Sequence, residues 1–146
     1  MSLQSWLQSG WLIEHKTSKQ EIGNLMGIAD RDLAASRSAE LPADWRFAIA
    51  YNAALQAANA ALAAAGFRAS RDSHHFRVIQ SLEFTINPGA KLVTTLDAFR
   101  KKRNISSYDL AGGISDKEAD EMFDLAAKLR SEIERWLRSA HPELLE

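Results

Sequence analysis

The sequence predicts an all-α fold, an antiparallel bundle of about five helices. Apolar residues recur at spacings of three and four along most of the chain, which is the period of a helix with one buried face. Two serine-led capping boxes mark helix starts, and alternating apolar and polar segments of the kind that form strands are nearly absent. Because the connections between successive helices are short, neighbouring helices should lie antiparallel.

The N-terminal part of the chain begins with a weak signal for a helix and continues with a strong one. In residues 1–17 the apolar positions Trp6, Leu7, Trp11, Leu12 and Ile13 predict one short helix within a short N-terminal extension. Ser18 and Glu21 then form a capping box, and the apolar spacing extends the following helix to about Arg37. The predicted inner face of this helix is Ile22, Leu25, Ala29, Leu33 and Ser36.

An alanine-rich helix follows. Pro42 suits its first turn, and Gly66 suits its C-terminal end. The predicted inner face is an unbroken alternation of steps of three and four: Ala48, Tyr51, Leu55, Ala58, Leu62 and Ala65. The many alanines imply that neighbouring helices approach this helix closely.

Two shorter helices form a predicted hairpin. The first begins near Asp72 or Ser73 and is stopped by the Asn-Pro-Gly segment 87–89. Its predicted face is His75, Ile79, Leu82 and Ile86. The second runs from about Ala90 to Arg103 and is followed by a loop through Gly113. The hairpin therefore places the start of the first helix beside the end of the second.

The longest predicted helix begins at a second capping box, formed by Ser115 and Glu118, and ends at His141 and Pro142. Its predicted inner face is Ala119, Met122, Ala126, Leu129, Ile133, Trp136 and Ala140.

Composition limits the class of protein. A length of 146 residues with 46% hydrophobic and 25% charged residues is typical of one globular domain, here residues 1–146. The absence of cysteine excludes disulfides and cysteine-ligated zinc. The sequence shows neither a membrane-spanning run nor a signal peptide, so we expect a cytoplasmic protein with no membrane contact. No zinc motif or phosphate-cradling glycine loop is present, so we expect no metal and no cofactor.

The predicted hairpin concentrates groups that can bind a phosphate. It should bring His74 and His75 to face Arg100 and Arg103, and Arg103 continues the inner face of its helix. Arg71 lies just beyond this group. These residues are the candidate binding site.

A further candidate is the N-terminus of the last helix, at Ser115, which should reach the same end of the bundle. Helix N-termini attract anions through free N–H groups and the helix dipole. Structural explanations remain open for every member of the site. Basic residues are favoured in any last helical turn, and an inward histidine is often a core residue.

Short motifs surround the basic segment. Arg103 and Asn104 are followed after a short gap by Tyr108 and Asp109, and then by a long helix that contains Glu118. This pattern resembles the HEPN superfamily. The stretch 44–54 looks like the alanine-rich second helix of that family, with its arginine and tyrosine, and the adjacent histidines lie where many members carry one. The resemblance covers roughly residues 41–137.

The resemblance implies roles for individual residues. Arg103 would bind the scissile phosphate, and Asn104 would be the polar residue of the family signature. Tyr108 lies where that signature has a histidine, and its ordinary pKa of about 10 is too high for an efficient general base near neutral pH. His74 or His75 could supply the base instead, which we infer from the hairpin and not from the motif.

The resemblance also implies a class of function. HEPN domains are helical bundles that commonly dimerise, and many are metal-independent ribonucleases, often toxins paired with a nucleotidyltransferase-like antitoxin. We therefore expect a homodimer that binds or cleaves RNA or a nucleotide. The alternative is a non-catalytic helical module that binds a nucleotide or a protein, which a net charge of −1 and the absent signature histidine favour.

Overall fold

Helices dominate the computed structural model, as the sequence predicts. The structure describes residues 1–108 and 113–145, and the side chains of residues 105–108 lie outside the description. The elements in chain order are α1 (Leu3–Gln8), β1 (Leu12–Glu14), α2 (Lys19–Ala35), α3 (Ala43–Ala64), β2 (Phe67–Ala69), α4 (His74–Ser81), α5 (Ala90–Tyr108) and α6 (Asp116–Ala140). Short 3₁₀ turns follow α4 at Leu82–Phe84 and α6 at Pro142–Leu144.

Helix α3 is the central element of the fold. It packs most extensively against α6 and α2, and its residues are buried on nearly every side along its second half. The alanines at 57, 58, 60 and 61 are fully buried, so small side chains let both neighbouring helices approach its backbone. The helix ends one residue before its predicted end, and Gly66 with φ of +99° makes the left-handed turn predicted there.

The buried faces of α2 and α6 differ slightly from the predicted ones. In α6 the buried face ends at Leu137, whereas Trp136 is half-buried and Ala140 is exposed. In α2 the fully buried residues include Met26, and the predicted Leu25 and Leu33 are half-buried. A helical turn has 3.6 residues, which lies between steps of three and four. The apolar spacing alone therefore does not decide which of two adjacent residues is the buried one.

Only one of the two predicted capping boxes forms completely. At α6 the Ser115 hydroxyl accepts from the Glu118 N–H, and the Glu118 carboxylate accepts from the Ser115 N–H. At α2 the Ser18 hydroxyl accepts from the Glu21 N–H, but the Glu21 carboxylate accepts from Thr17 instead. The helix start at Ser18 is correct, and the reciprocal half of its predicted box is not.

Two short strands are present that the sequence does not predict. β1 and β2 pair antiparallel, with Leu12 opposite Ala69 and Glu14 opposite Phe67. Three residues are too few for alternation to be visible in the sequence. The strand pair and the buried Trp6 attach the segment 1–17 to the core, so it is packed against the bundle.

The hairpin of α4 and α5 differs from the prediction at both ends. Helix α4 stops at Ser81, and α5 continues to Tyr108, so the loop predicted after Arg103 is wrong for residues 104–108. No glycine or proline interrupts this stretch, and basic residues in a helix do not end it. Asp109 lies outside the described residues.

Within the described parts of the chain, no helix combines the length and the apolar character needed to cross a bilayer.

Candidate functional site

Tyr51 of α3 is the residue around which the candidate site is built. Its side chain is buried, and its hydroxyl lies 3.3 Å from Nδ1 of His75, in the first turn of α4. The guanidinium carbon of Arg103, from α5, lies 5.5 Å from the centre of the Tyr51 ring. Three helices therefore bring one phenol, one imidazole and one guanidinium together.

The protonation states of this cluster follow from burial and from the neighbouring positive charges. Burial lowers the pKa of His75, and the nearby Arg103, His74 and Arg100 lower it further. Burial also raises the pKa of Tyr51 to about 12, although the two arginines act in the opposite direction. At neutral pH both the imidazole and the phenol are therefore uncharged.

Arg100 is held in place by an acidic neighbour on its own helix. Its Nε donates to Oδ1 of Asp97 at 2.7 Å, and Asp97 is almost fully buried. Its guanidinium carbon also lies 5.5 Å from the centre of the Phe76 ring. Lys101 reaches the other Asp97 oxygen at 3.6 Å, so the carboxylate offsets part of the positive charge at this end of α5.

An open cleft of about 340 Å³ lies beside the cluster. It is lined by Ser73, His74, His75, Phe76, Arg100 and Asn104. This volume is at the lower end of the range of about 300–1,000 Å³ that small-molecule sites occupy. We call this the first cleft.

The structure brings together most of the residues predicted for the site. His74, His75, Arg100 and Asn104 line the first cleft, and Arg103 lies against the Tyr51 ring that His75 also contacts. The start of α4 therefore lies beside residues 100–104 of α5, as predicted, although α5 continues beyond them to Tyr108.

Two other predicted residues lie outside the first cleft. Arg71 and Ser115, both in the described part of the chain, are exposed and do not line it. The Ser115 hydroxyl is engaged in its helix cap, and the carboxylates of Asp116 and Glu118 occupy the first turn of α6. Tyr108 ends α5, and its side chain lies outside the description.

Two residues of the site were not identified from the sequence. Tyr51 was predicted as an inner-face residue, but its contact with His75 joins positions 24 residues apart, which helical spacing does not indicate. Asp97 carries a local signal, because a carboxylate three and four residues before Arg100 and Lys101 predicts a pair on one helix face.

Among the described residues, no group of three or more histidine, aspartate or glutamate side chains is arranged to hold a metal ion. Comparison of the chain with protein-family models, with curated proteins and with solved structures finds no match. By its fold and its first cleft, the protein is an all-α bundle with a cleft lined by arginine and histidine side chains.

Proposed function

We propose that the first cleft binds the phosphate of an RNA or a nucleotide, and that the protein is a metal-independent ribonuclease of the toxin–antitoxin or defence type. The observation that carries this proposal is the convergence of Arg100 and Arg103 with the uncharged His75 around Tyr51. Guanidinium groups bind phosphate through several donors at once, and a neutral imidazole can accept a proton.

The proposed reaction is transfer of the phosphate to the neighbouring ribose oxygen. His75 takes the proton of a ribose 2′-OH as that oxygen attacks the adjacent phosphorus. The new O–P bond forms as the bond to the 5′ oxygen breaks, and the leaving oxygen takes a proton from a general acid. The products are a 2′,3′-cyclic phosphate and a free 5′-OH.

The contact with Tyr51 suits His75 to the role of base. When Nδ1–H donates to the Tyr51 oxygen, Nε2 keeps its lone pair and accepts the substrate proton. The ring of His74 lies 5.9 Å from that of His75, which suits it to protonate the leaving oxygen. Asn104 lines the same cleft and can donate to a phosphate oxygen.

Arginine supplies the charge stabilisation in this scheme. The phosphorane that forms during attack carries more negative charge on its oxygens than the diester does. Arg103 and Arg100 stabilise that charge most strongly when their positions are fixed in advance. The pair with Asp97 fixes Arg100 in this way.

A non-catalytic module that binds a nucleotide or a protein is the second candidate function. The specific observation in its favour is the Asp97 carboxylate, which neutralises part of the Arg100 charge. Under this alternative the cleft would hold a ligand and leave its bonds intact.

Binding and cleavage of a short single-stranded RNA test the proposal. Affinity, measured by fluorescence anisotropy, should fall with salt at a log–log slope of about −0.7 for each neutralised phosphate. Arg103→Ala should weaken binding or abolish cleavage. Lys91→Ala, which removes the same charge at the other end of α5, is the matched control and should change neither. Absence of binding to RNA and to free nucleotides would reject the proposal.

The two histidines separate the catalytic and non-catalytic candidates. Under the ribonuclease proposal, His75→Ala should lower the cleavage rate without weakening binding, and cleavage should persist in EDTA and leave a cyclic or 3′-phosphate end. His74→Ala tests the proposed acid in the same assay. Binding of RNA by the unaltered protein without any cleavage would favour the non-catalytic module.

Assembly is part of the same proposal. We expect a two-fold homodimer, and Trp45, at 61% exposure in the first turn of α3, is the largest exposed aromatic side chain among the described residues. Tryptophan is frequent among the few residues that contribute most of the binding energy of a protein interface. Sedimentation equilibrium at micromolar concentration should show a dimer that Trp45→Ala weakens, and a clean monomer would contradict it. A neighbouring nucleotidyltransferase gene would support an antitoxin partner.

A further inference from the structure

A second cleft, of about 220 Å³, adjoins the first one. His74 lines both clefts, so they share one wall at the start of α4. The other walls of the second cleft come from the start of α2, the end of α3 and strand β2. A ligand in the first cleft can therefore extend past His74 into the second.

The second cleft has an apolar floor and one aromatic wall. Leu62 and Ala63 of α3 are buried beneath it, and Leu25 of α2 is half-buried at its side. The half-buried ring of Phe67, in β2, also lines it. Flat, weakly polar groups such as aromatic rings fit such a surface because stacking buries their faces without costing hydrogen bonds.

The polar lining of the second cleft carries both signs of charge, because the exposed Arg68 of β2 and the Glu21 carboxylate of α2 both line it. Oε1 of Glu21 accepts from the Thr17 hydroxyl at 2.5 Å and lies 2.8 Å from Nε2 of His15. The Thr17 hydrogen bond and the nearby His15 lower the pKa of Glu21, so its carboxylate is charged at neutral pH. The Glu21 side of the cleft therefore offers a charged acceptor for the amino group of a ligand.

Asn59 supplies an uncommitted amide to the same cleft. Its side chain is half-buried on α3, and none of the described groups makes a hydrogen bond to it. A carboxamide offers donors and an acceptor side by side, which is the pattern that reads the edge of a nucleobase.

From these observations we infer that the second cleft is a nucleobase subsite, in which a base stacks on Phe67 and presents its edge to Asn59 and Glu21. This inference rests on the proposed phosphate site in the first cleft, and it names the ligand as a nucleotide unit whose phosphate and base lie on opposite sides of His74. The Glu21 carboxylate selects a base that carries an exocyclic amino group, such as adenine, over uracil.

The test compares ligands with and without a base by isothermal titration calorimetry. Adenosine monophosphate should bind roughly tenfold or more tightly than ribose 5-phosphate, because stacking contributes strongly to affinity. Asn59→Ala and Phe67→Leu should reduce this ratio toward one and leave the affinity for ribose 5-phosphate unchanged. Asn24→Ala, on the exposed side of α2, is the matched control and should leave the ratio intact.

The outcomes distinguish the subsite from the phosphate site. Equal affinities for the two ligands, or an Asn59→Ala variant with an unchanged ratio, would overturn the nucleobase subsite while the phosphate site stands. Absence of binding by both ligands would overturn both. Uridine monophosphate should bind more weakly than the adenine nucleotide, and equal binding would overturn the role of Glu21. Circular dichroism melting of each variant checks that the fold is retained.

Discussion

The Tyr51 hydroxyl lies 3.3 Å from Nδ1 of His75, and this contact joins the buried centre of the fold to the rim of the first cleft. Tyr51 is fixed because α3 is surrounded by other elements, whereas His75 lies in the first turn of the short helix α4, which lines the opening. The contact with the fixed Tyr51 side chain therefore orients the His75 imidazole at the rim of the cleft. Arg103 packs on the same ring, so the positions of its charge and of the imidazole are coupled.

We predict that Arg103→Ala raises the pKa of His75. The lowered pKa of His75 has burial as its largest cause and the charge of Arg103 as the next. Removing the guanidinium removes that repulsion and leaves the burial largely unchanged. A proton NMR titration of the His75 ring measures the midpoint directly. Lys91→Ala should leave the midpoint where it is, and an unchanged midpoint in Arg103→Ala would contradict the proximity of the two charges.

We also predict that His75 makes the fold less stable in mild acid. Its pKa in the folded state is lowered from 6.5, so below pH 6.5 the unfolded chain takes up this proton before the folded protein does. Stability is therefore full above about pH 6.5 and decreases as the pH falls toward the folded-state pKa. Urea denaturation at pH 7.5 and pH 5.5 should show a smaller loss for His75→Gln than for the unaltered protein. Equal losses would contradict the lowered pKa.

The helices could be predicted from the sequence because their signals are local. Capping serines, alanine content and apolar spacing determine α2, α3 and α6, and these three helices form most of the core. Elements that depend on contacts between residues far apart in the chain could not be predicted from the sequence in this way. The strand pair forms because Leu12 meets Ala69 across 57 residues, and neither strand has enough residues to show a period.

The candidate site could likewise be predicted only where it depends on neighbouring helices and not on contacts between distant elements. The hairpin geometry was sufficient to group His75 with Arg100, because the turn at residues 87–89 brings the start of the first helix beside the later part of the second. The Tyr51 contact required knowledge of how α3 packs beneath α4, which periodicity alone does not contain. The second cleft was not predicted at all, since it is formed by four elements that come together only in the folded chain.

Leu129→Ala should destabilise the protein substantially. Leu129 is fully buried in α6 and faces the core formed with α3. Truncation removes buried methyl groups and leaves a cavity that the small alanines of α3 cannot fill, so we expect a loss of about 2–5 kcal/mol. Chemical denaturation measures this loss. Ile13→Ala, at an exposed position of β1, is the control and should cost far less.

The buried polar contact between α2 and α3 should behave as a coupled pair. Asp32 is almost fully buried, and its Oδ2 accepts from Nδ2 of Asn52 at 2.6 Å. Asp32→Ala leaves the amide without its acceptor and should cost about 1–3 kcal/mol. The variant with Asn52→Ala added should lose less than the sum of the two single changes. Strict additivity in this double-mutant cycle would show that the contact contributes little.

The attachment of the N-terminal segment should depend on Arg77. The guanidinium carbon of Arg77 lies 3.6 Å from the centre of the Trp11 ring and 5.5 Å from that of Trp6. The Trp6 indole N–H is buried without a hydrogen-bond partner among the described residues, so the tryptophans add stacking and apolar contact to the backbone hydrogen bonds of the strand pair. A cation over an aromatic ring contributes about 0.5–2 kcal/mol, depending on how far it is desolvated.

Arg77→Ala should therefore let residues 1–14 open more often while the helical core stays folded. We expect faster amide hydrogen exchange in α1 and β1, and stronger acrylamide quenching of tryptophan emission. Arg77→Lys keeps the charge but loses the flat face that stacks on Trp11, so its effect should be intermediate. Arg135→Ala, at an exposed position of α6, removes the same charge and should change neither measurement. If exchange in α1 were unaffected by Arg77→Ala, the attachment would depend on the strand pair and on the burial of Trp6 and Leu12, and not on the cation–ring contact.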